Sequence, residues 1–216
     1  MRKASAMHLS PSIPIYQWQP LTLAQTVALF QPASRSAPFR WALAGGYCIE
    51  QFVGRSFRHH DDVDVMVFRD EQLAAQAWLA DWCWYAADPP GQLRNWLKDE
   101  HLPFGIHDIW GHKPDSDSWQ LQLMLAEIEG ENGEAWFFRK DPTIRGKRDD
   151  LIALYNGLPC VRIEVQLFYK ARSNREKDNL DFEQCLPLLR PESVRWLRHA
   201  IQHTFPQGHG WLARLS

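Results

Sequence analysis

The chain has 216 residues, 45% of them apolar, so it is long enough to bury a hydrophobic core. Its 24 basic and 26 acidic side chains give a formal net charge of −2, which offers no bulk electrostatic basis for binding nucleic acid polymers or anionic membranes and favours a small polar substrate. No apolar run suggests a signal peptide or a membrane span, and the four cysteines show no metal-ligand spacing, so we expect reduced thiols in a cytoplasmic protein.

The first third of the chain predicts the beginning of a sheet. We expect an irregular lead-in over residues 1–20 and a first helix within residues 21–33. Residues 41–44 predict a short buried strand, and a helix near residues 46–53 follows it directly. The alternating apolar residues of 63–68 predict the next strand, so these elements form a β-α-β unit.

The middle of the chain predicts more strands of the same sheet. Asp70 is a candidate N-cap for a helix that follows the strand of residues 63–68. From residue 83 to residue 140 the pattern changes to short extended pieces, with a turn at residues 89–91. Within this region, residues 106–110 and 119–127 predict strands.

The last part of the chain predicts helices. Apolar residues recur at helical spacing after about residue 150, and Pro191 suits the first turn of the final helix. We therefore expect an α+β fold with a mixed β-sheet and flanking helices. Residues 1–150 would form a catalytic domain and residues 151–216 a small helical domain, with the ligand cleft between them.

Two glycines and two aspartates stand at the ends of the predicted strands. Gly45 and Gly46 let the backbone turn tightly and approach a ligand without interference from a Cβ atom, and amides exposed there suit phosphate oxygens. Asp62 and Asp64 would project from one face of a strand, where two hard oxygen ligands suit Mg²⁺. A phosphate cradle followed within twenty residues by a carboxylate pair predicts chemistry on a nucleoside triphosphate.

This segment resembles the nucleotidyltransferase superfamily, and especially its antibiotic-modifying branch of aminoglycoside 2''-adenylyltransferases and lincosamide nucleotidyltransferases. The residues that match the branch in order and spacing are Gly45, Gly46, Gly54, Arg58, His60, Asp62 and Asp64. The resemblance implies a nucleotidyltransferase-type sheet and a Mg²⁺-dependent enzyme. Such an enzyme moves a nucleoside monophosphate, here AMP from ATP, to a hydroxyl of a small polar acceptor such as an aminoglycoside or a lincosamide.

The resemblance also assigns roles to individual residues. Asp62 and Asp64 would be catalytic and bind the metal, and Gly45 and Gly46 would bind the nucleotide. The basic positions before the aspartates are Arg58 and His60, which would hold phosphate oxygens or neutralise the carboxylates. The branch's helical segment places Lys170 and Lys177 where either could reach the triphosphate, although a solvated helix face explains a single lysine equally well.

The sequence departs from the branch at the general base. The family usually supplies a third carboxylate from a later strand, and Gln122 occupies that position here. Glutamine cannot accept the proton of a hydroxyl group. Glu127 is a candidate base if a bulge brings it round, because a regular strand would point it to the other face, and Asp108 is another candidate.

Alternatives remain at this stage. A polycationic aminoglycoside would be attracted by an acidic rim, for which the candidates are Asp115, Asp117, Glu127, Glu129, Glu131 and Glu134. A protein that has lost the base at Gln122 would instead bind a nucleotide without turning it over. A toxin-type nucleotidyltransferase acting on RNA or protein is a third alternative.

Overall fold

The computed structural model describes residues 17–33, 38–89, 91–173 and 175–215. The predicted lead-in over residues 1–20 therefore lies outside the described residues except for its last four. One residue of the predicted turn at residues 89–91, Pro90, also lies outside them.

The strands form a mixed sheet, as the sequence predicts. They are β1 Gln17–Trp18, β2 Trp41–Leu43, β3 Asp64–Phe68, β4 Cys83–Ala87, β5 Leu93–Asn95, β6 Asp108–His112, β7 Ser118–Trp119, β8 Leu121–Glu129, β9 Ala135–Phe138, β10 Asp141–Lys147, β11 Ile152–Tyr155 and β12 Leu158–Val161. The main sheet has the order β11-β12-β2-β3-β8-β6-β4-β5, and β9 joins β8 to β10. β3 is parallel to β8, whereas β2 is antiparallel to β3, so β2 and β3 are not the parallel pair of a typical crossover unit.

Six α-helices are described. They are α1 Leu23–Phe30, α2 Gly45–Val53, α3 Gln72–Trp78, α4 Ile163–Ala171, α5 Glu176–Cys185 and α6 Pro191–Thr204. The C-terminal helices pack together, and both α4 and α5 contact α2, the helix that begins at the glycine pair. The apolar side chains of sheet and helices share a continuous core. No helix in the described ranges is both long enough and apolar enough to cross a membrane.

Two expected boundaries were wrong. Asp70 does not cap a helix with its side chain: it lies in a 3-10 turn over Arg69–Glu71, and its carboxylate accepts two hydrogen bonds from Arg148, at 2.6 and 2.8 Å. A bidentate arginine pair is stronger than a single cap hydrogen bond, so α3 begins two residues later.

The chain also does not become helical at residue 150. The β11–β12 hairpin comes first, and Cys160 of β12 pairs with Leu43 of β2 in the main sheet. The first C-terminal helix begins at Ile163. Pro191, by contrast, begins α6 as predicted. All four cysteines are free thiols, and Cys48, Cys160 and Cys185 are buried.

Candidate active site

A cavity of about 520 Å³ lies between the sheet and the C-terminal helices. Eight of the nine predicted site residues line it, and the ninth, His60, does not. The eight are Gly45, Gly46, Arg58, Asp62, Asp64, Glu127, Lys170 and Lys177. The structure therefore gathers residues that lie more than a hundred positions apart in the chain.

The two glycines start α2 and allow other side chains to approach its first turn. Gly45 has a φ of 58°, and a Cβ atom there would overlap Oδ2 of Asp64. A Cβ atom on Gly46 would overlap the imidazole of His60. The Gly45 N–H donates to Oε1 of Gln166 at 3.0 Å, so a phosphate oxygen would have to share or replace that acceptor. The glycines are thus required by the packing of the chain's own side chains.

Asp62 and Asp64 line the cavity from the start of β3. Val63, between them, is fully buried, so the period of two along the chain directs the carboxylates to one side. Burial, followed by the negative charge of Asp62, raises the pKa of Asp64 to about 7. The two carboxylates therefore repel each other when both are ionised.

The donor set fits Mg²⁺ bound together with a substrate. Across the described ranges, no group of three or more His, Cys, Asp or Glu side chains is arranged to hold a metal ion. Mg²⁺ does not need such a cage, because it keeps several waters and takes oxygens from one or two carboxylates and from substrate phosphates. Asp62 and Asp64 would supply the carboxylates, and the cation would relieve their repulsion.

A third carboxylate reaches this group from β6. Asp64 is in register with Gln122 on the parallel strand β8. Nε2 of Gln122 donates a hydrogen bond to Oδ1 of Asp108 at 2.9 Å. Asp108 also adds to the raised pKa of Asp64, after burial and Asp62. Asp108 therefore lies beside Gln122, the amide at the position where a third carboxylate was expected.

The geometry argues against Glu127 as the base. β8 is regular at this position, and Glu127 shares the buried face of Leu123 and Leu125, opposite to Gln122. Its carboxylate is bound by Arg69, with Nε to Oε2 at 2.5 Å and Nη2 to Oε1 at 2.6 Å. Because Arg69 occupies both oxygens of this buried carboxylate, neither is free to contact an acceptor hydroxyl.

Arg58 and Lys170 meet at one buried carboxylate. Asp181 of α5 is fully buried and binds Arg58 through both oxygens, at 2.7 and 2.8 Å. Lys170 Nζ lies 2.7 Å from Oδ2 of the same carboxylate and 3.4 Å from Oδ1 of Asp178. Both cations line the cavity, but their strongest contacts are with the protein.

His60 lies behind the cavity wall. Its Nε2 lies 3.0 Å from Oε1 of Glu50, and its Nδ1 is 2.9 Å from Nη1 of Arg58. Burial, followed by the charge of Arg58, lowers the pKa of His60. A neutral imidazole held between these partners positions Arg58, and it has no exposed edge in the cavity.

Two more cations line the α5 end of the cavity. Lys177 is about one-third exposed, and its Nζ is 3.6 Å from the exposed carboxylate of Asp61. Arg175, which the sequence did not indicate, also lines the cavity and binds Asp178. Both side chains line the same cavity as the aspartate pair.

The opposite end of the cavity is also basic, which the sequence did not indicate. Arg139 and Lys140 follow β9, and Arg172 ends α4. These residues show no periodic pattern in the sequence. They come together only where the β9–β10 hairpin meets the end of α4.

The predicted acidic rim is wrong. Of its six members, only Glu127 lines the cavity, and Arg69 binds that carboxylate. Glu129 pairs with Arg145, and Glu134 accepts a hydrogen bond from the Asn132 backbone N–H. The other five acids are not among the residues that line the cavity.

Comparisons with known proteins agree with this fold. The model of the family described as aminoglycoside-2''-adenylyltransferase matches residues 27–185. The solution structure of the antibiotic-resistance factor ANT(2'')-Ia aligns with a TM-score of 0.51 at 17% identity, over 85% of this chain and 91% of that one.

Two crystal structures align at a slightly lower level. Lincomycin-bound LnuA, a lincosamide antibiotic adenylyltransferase, has a TM-score of 0.49 at 15% identity, over 75% of this chain and 92% of that one. ANT(2'')-Ia with adenylyl-2''-tobramycin has a TM-score of 0.49 at 14% identity, over 84% and 95%. No curated protein matches the chain in sequence.

Proposed function

The chain belongs to the aminoglycoside-2''-adenylyltransferase family, and on that premise we propose that it transfers AMP from Mg²⁺-bound ATP to a hydroxyl group of a small polar acceptor. Membership makes the protein a nucleotidyltransferase, and the donor, the metal and the acceptor are parts of the proposal. Aminoglycosides and lincosamides, named for the similar proteins, are the first acceptors to test.

One observation supports the proposal most strongly. Three carboxylates, Asp62, Asp64 and Asp108, line one cavity beside the start of α2, with cations at the α5 end. A triphosphate needs both groups: the aspartate pair for its metal and the cations for its oxygens. Lys177 is exposed enough to turn toward the phosphates, whereas Arg58 is held by Asp181 and Arg175 by Asp178.

The proposed base is Asp108. The acceptor oxygen forms a bond to the α-phosphorus, the bond from that phosphorus to the bridging oxygen breaks, and pyrophosphate leaves. Asp108 accepts the hydroxyl proton, and Gln122 positions it through the 2.9 Å hydrogen bond. When bound, Mg²⁺ at Asp62 and Asp64 would neutralise phosphate charge in the transition state.

The experiment is a measurement of pyrophosphate release from ATP with Mg²⁺ and a panel of hydroxyl acceptors. The other three nucleoside triphosphates test the choice of donor. We expect acceptor-dependent release that is lost in Asp64→Asn and Asp108→Asn. Asp115→Asn is the matched control, because it makes the same chemical change at an exposed turn residue outside the cavity.

The two variants separate the two roles. Asp108→Asn should still bind Mg²⁺ and ATP together, since it keeps the aspartate pair, whereas Asp64→Asn should not. Full activity in Asp108→Asn would show that another group takes the proton. Full activity in Asp64→Asn would contradict the metal assignment.

A further inference from the structure

Three cations form one end of the cavity, and we call them the cationic corner: Arg139, Lys140 and Arg172. All three line the cavity. Among the described residues, none of the three has a carboxylate partner within 4.0 Å. The other cavity cations, by contrast, are paired: Arg58 and Lys170 with Asp181, Arg175 with Asp178 and Lys177 with Asp61.

The three side chains are close enough to repel one another. Burial, followed by the charges of Arg139 and Arg172, lowers the pKa of Lys140. Arg139 also helps to lower the pKa of His107, whose dominant cause is burial. Like charges this close together destabilise the empty cavity, and a bound anion would lower that cost.

Packing holds the corner in place. The Arg172 guanidinium lies over the Phe138 ring, 5.0 Å from its centre. Phe138 in turn packs edge-on against Phe168 and beside Tyr169 of α4. An arginine stacked on a ring keeps its planar N–H groups free for an in-plane acceptor. The corner therefore presents oriented donors.

The corner lies on the Asp108 side of the cavity. Phe137, two residues before Arg139, is in register with Glu127 near the end of β8, whereas Lys177 Nζ lies 3.6 Å from Asp61, which precedes β3. Asp108 is in register with Met124, between these two positions along β8. Along β8 the cavity wall runs from Gln122 beside Asp64 to Ala126, a distance of roughly 13 Å at 3.3 Å per residue. The proposed base thus stands between two cationic ends.

Each end suits one substrate. The α5 end adjoins the aspartate pair and the start of α2, where the triphosphate would bind. The cationic corner adjoins the base, where the acceptor would bind. We propose that the cationic corner binds a phosphate or carboxylate group of the acceptor, so that the acceptor is a small anionic hydroxyl compound and not a polyamine. This inference rests on the proposed function, because it names the acceptor class of the same cavity.

The same charges disfavour a polycationic acceptor. An aminoglycoside would bring several ammonium groups to a wall with three unpaired cations and without the acidic rim that the sequence suggested. Like charges in a partly buried site repel more strongly than in water. On this inference the acceptor is not a polyamine, although the fold is shared with enzymes named for polyamine acceptors.

The test measures anion binding while the nucleotide end is filled. Glucose 6-phosphate, glucuronate and inorganic phosphate serve as anionic probes, glucose as the neutral probe and kanamycin as the polycationic probe. Calorimetric titrations are run on the full chain with Mg²⁺ and a non-hydrolysable ATP analogue bound. We expect an anionic sugar to bind at least about 10-fold more tightly than glucose, the size of one charge-assisted hydrogen bond.

Matched variants locate the binding. Arg139→Gln with Lys140→Gln should weaken the anionic probe at least about 10-fold and leave glucose unchanged. Arg145→Gln with Lys147→Gln makes the same charge change on the same hairpin outside the cavity and should change neither. Thermal unfolding of both double variants shows whether either has lost its fold, and Arg172→Gln provides an independent variant on another element.

Four outcomes would overturn the inference. These are no binding by any anionic probe, equal binding in the corner variants, displacement of the anion by the ATP analogue, and tighter binding of kanamycin than of the anionic sugars. Displacement would assign the corner to the triphosphate. Anion binding is measured by these titrations, with and without nucleotide, and transfer is measured by pyrophosphate release. A failure of the transfer activity is therefore distinguished from a failure of anion binding.

Discussion

The fold strongly affects the ionisation of Asp64. Its carboxylate is close to Asp62 and to the first turn of α2, where only a glycine leaves room for it. Its pKa of about 7 lies above the ordinary value of 3.8. The folded, metal-free protein therefore holds this proton more tightly than the unfolded chain does.

The first prediction concerns pH. Because the folded-state pKa of Asp64 is raised, its contribution to stability is complete below about pH 4 and is lost as the pH rises through about 7. In the metal-free protein, this contribution should be lost progressively between about pH 4 and pH 7. In Asp64→Asn this loss should be smaller, so the variant should melt at a higher temperature than the native chain at pH 8.

Thermal unfolding in the presence of a chelator, followed by circular dichroism at several pH values, checks this. Asp115→Asn is again the control and should follow the native curve. If the melting temperature of Asp64→Asn fell with pH as steeply as that of the native chain, a group other than Asp64 would be responsible for the loss.

The motif residues could be predicted from the sequence because they lie close together in it. Asp62 and Asp64 needed only the period of two of a strand to be assigned to the cavity. The choice between Asp108 and Glu127 needed more: the register of β8 against β6 and the presence of Arg69 beside Glu127. Local sequence reveals neither this strand register nor an ion pair between residues that lie 58 positions apart.

At the scale of an element, α2 is limited by a glycine at each end. Gly45 begins the helix with a φ of 58°, and Gly54 ends it with a φ of 81°. Around Gly54 the space is open, whereas beside Gly45 lies the Asp64 carboxylate. The same substitution should therefore have different consequences at the two ends.

This contrast is the second prediction. Gly54→Ala should cost about 1–2 kcal/mol of folding stability from left-handed backbone strain alone, and transfer activity should be nearly native. Gly45→Ala should add displacement of Asp64 to the same strain, and it should lower kcat by about 10²-fold or more, the cost of one misplaced preorganised group.

Urea denaturation and steady-state kinetics on both variants separate the two effects. The matched pair matters because each change adds one methyl group at a positive φ in the same helix. Equal losses of activity would mean that strain in α2, and not the contact with Asp64, controls the site.

Element boundaries were predicted less well than element types. The strand and helix around the glycine pair were placed to within about two residues, since apolar runs and glycines mark them. The β11–β12 hairpin was missed because a helical pattern was extended back to residue 150, although Asn156 and Gly157 form its turn. Only pairing with β2 shows that these residues belong to the sheet.

At the scale of the whole molecule, Asp181 joins the motif to the C-terminal helices. It is fully buried in α5 and contacts Arg58 from the motif loop and Lys170 from α4. The division into domains at residue 150 stays a prediction, but this contact makes the helices part of the site. Sequence analysis could not foresee it, because 123 residues separate the two partners.

The third prediction tests that contact. Asp181→Asn leaves two buried cations with one fewer countercharge and should cost about 3–5 kcal/mol. Glu183→Gln, on the same helix, removes an exposed pair with Arg214 and should cost less than about 1 kcal/mol. Urea denaturation monitored by tryptophan fluorescence measures both, and equal costs would contradict the structural role of Asp181.

The fourth prediction concerns ligand binding by the whole molecule. A ligand between sheet and helices should stabilise both, so Mg²⁺ with ATP at about 100 times its Kd should add about 2.7 kcal/mol, or roughly 5–10 °C in Tm. Asp64→Asn should show little of this shift. Thermal scans with ATP, Mg²⁺ and both together check it, and an equal shift in the variant would place the nucleotide elsewhere.

The buried contact between Arg58 and Asp181 has an evolutionary consequence. Replacing Asp181 alone leaves the buried Arg58 without this carboxylate, and replacing Arg58 alone leaves Asp181 with one cation fewer beside Lys170, so a change at only one of the two positions is disfavoured. Positions 58 and 181 should therefore covary among relatives of this chain. If some relatives replace both residues with an uncharged pair, the contact serves folding. If the contact persists in every relative that keeps Asp62 and Asp64, it serves the chemistry.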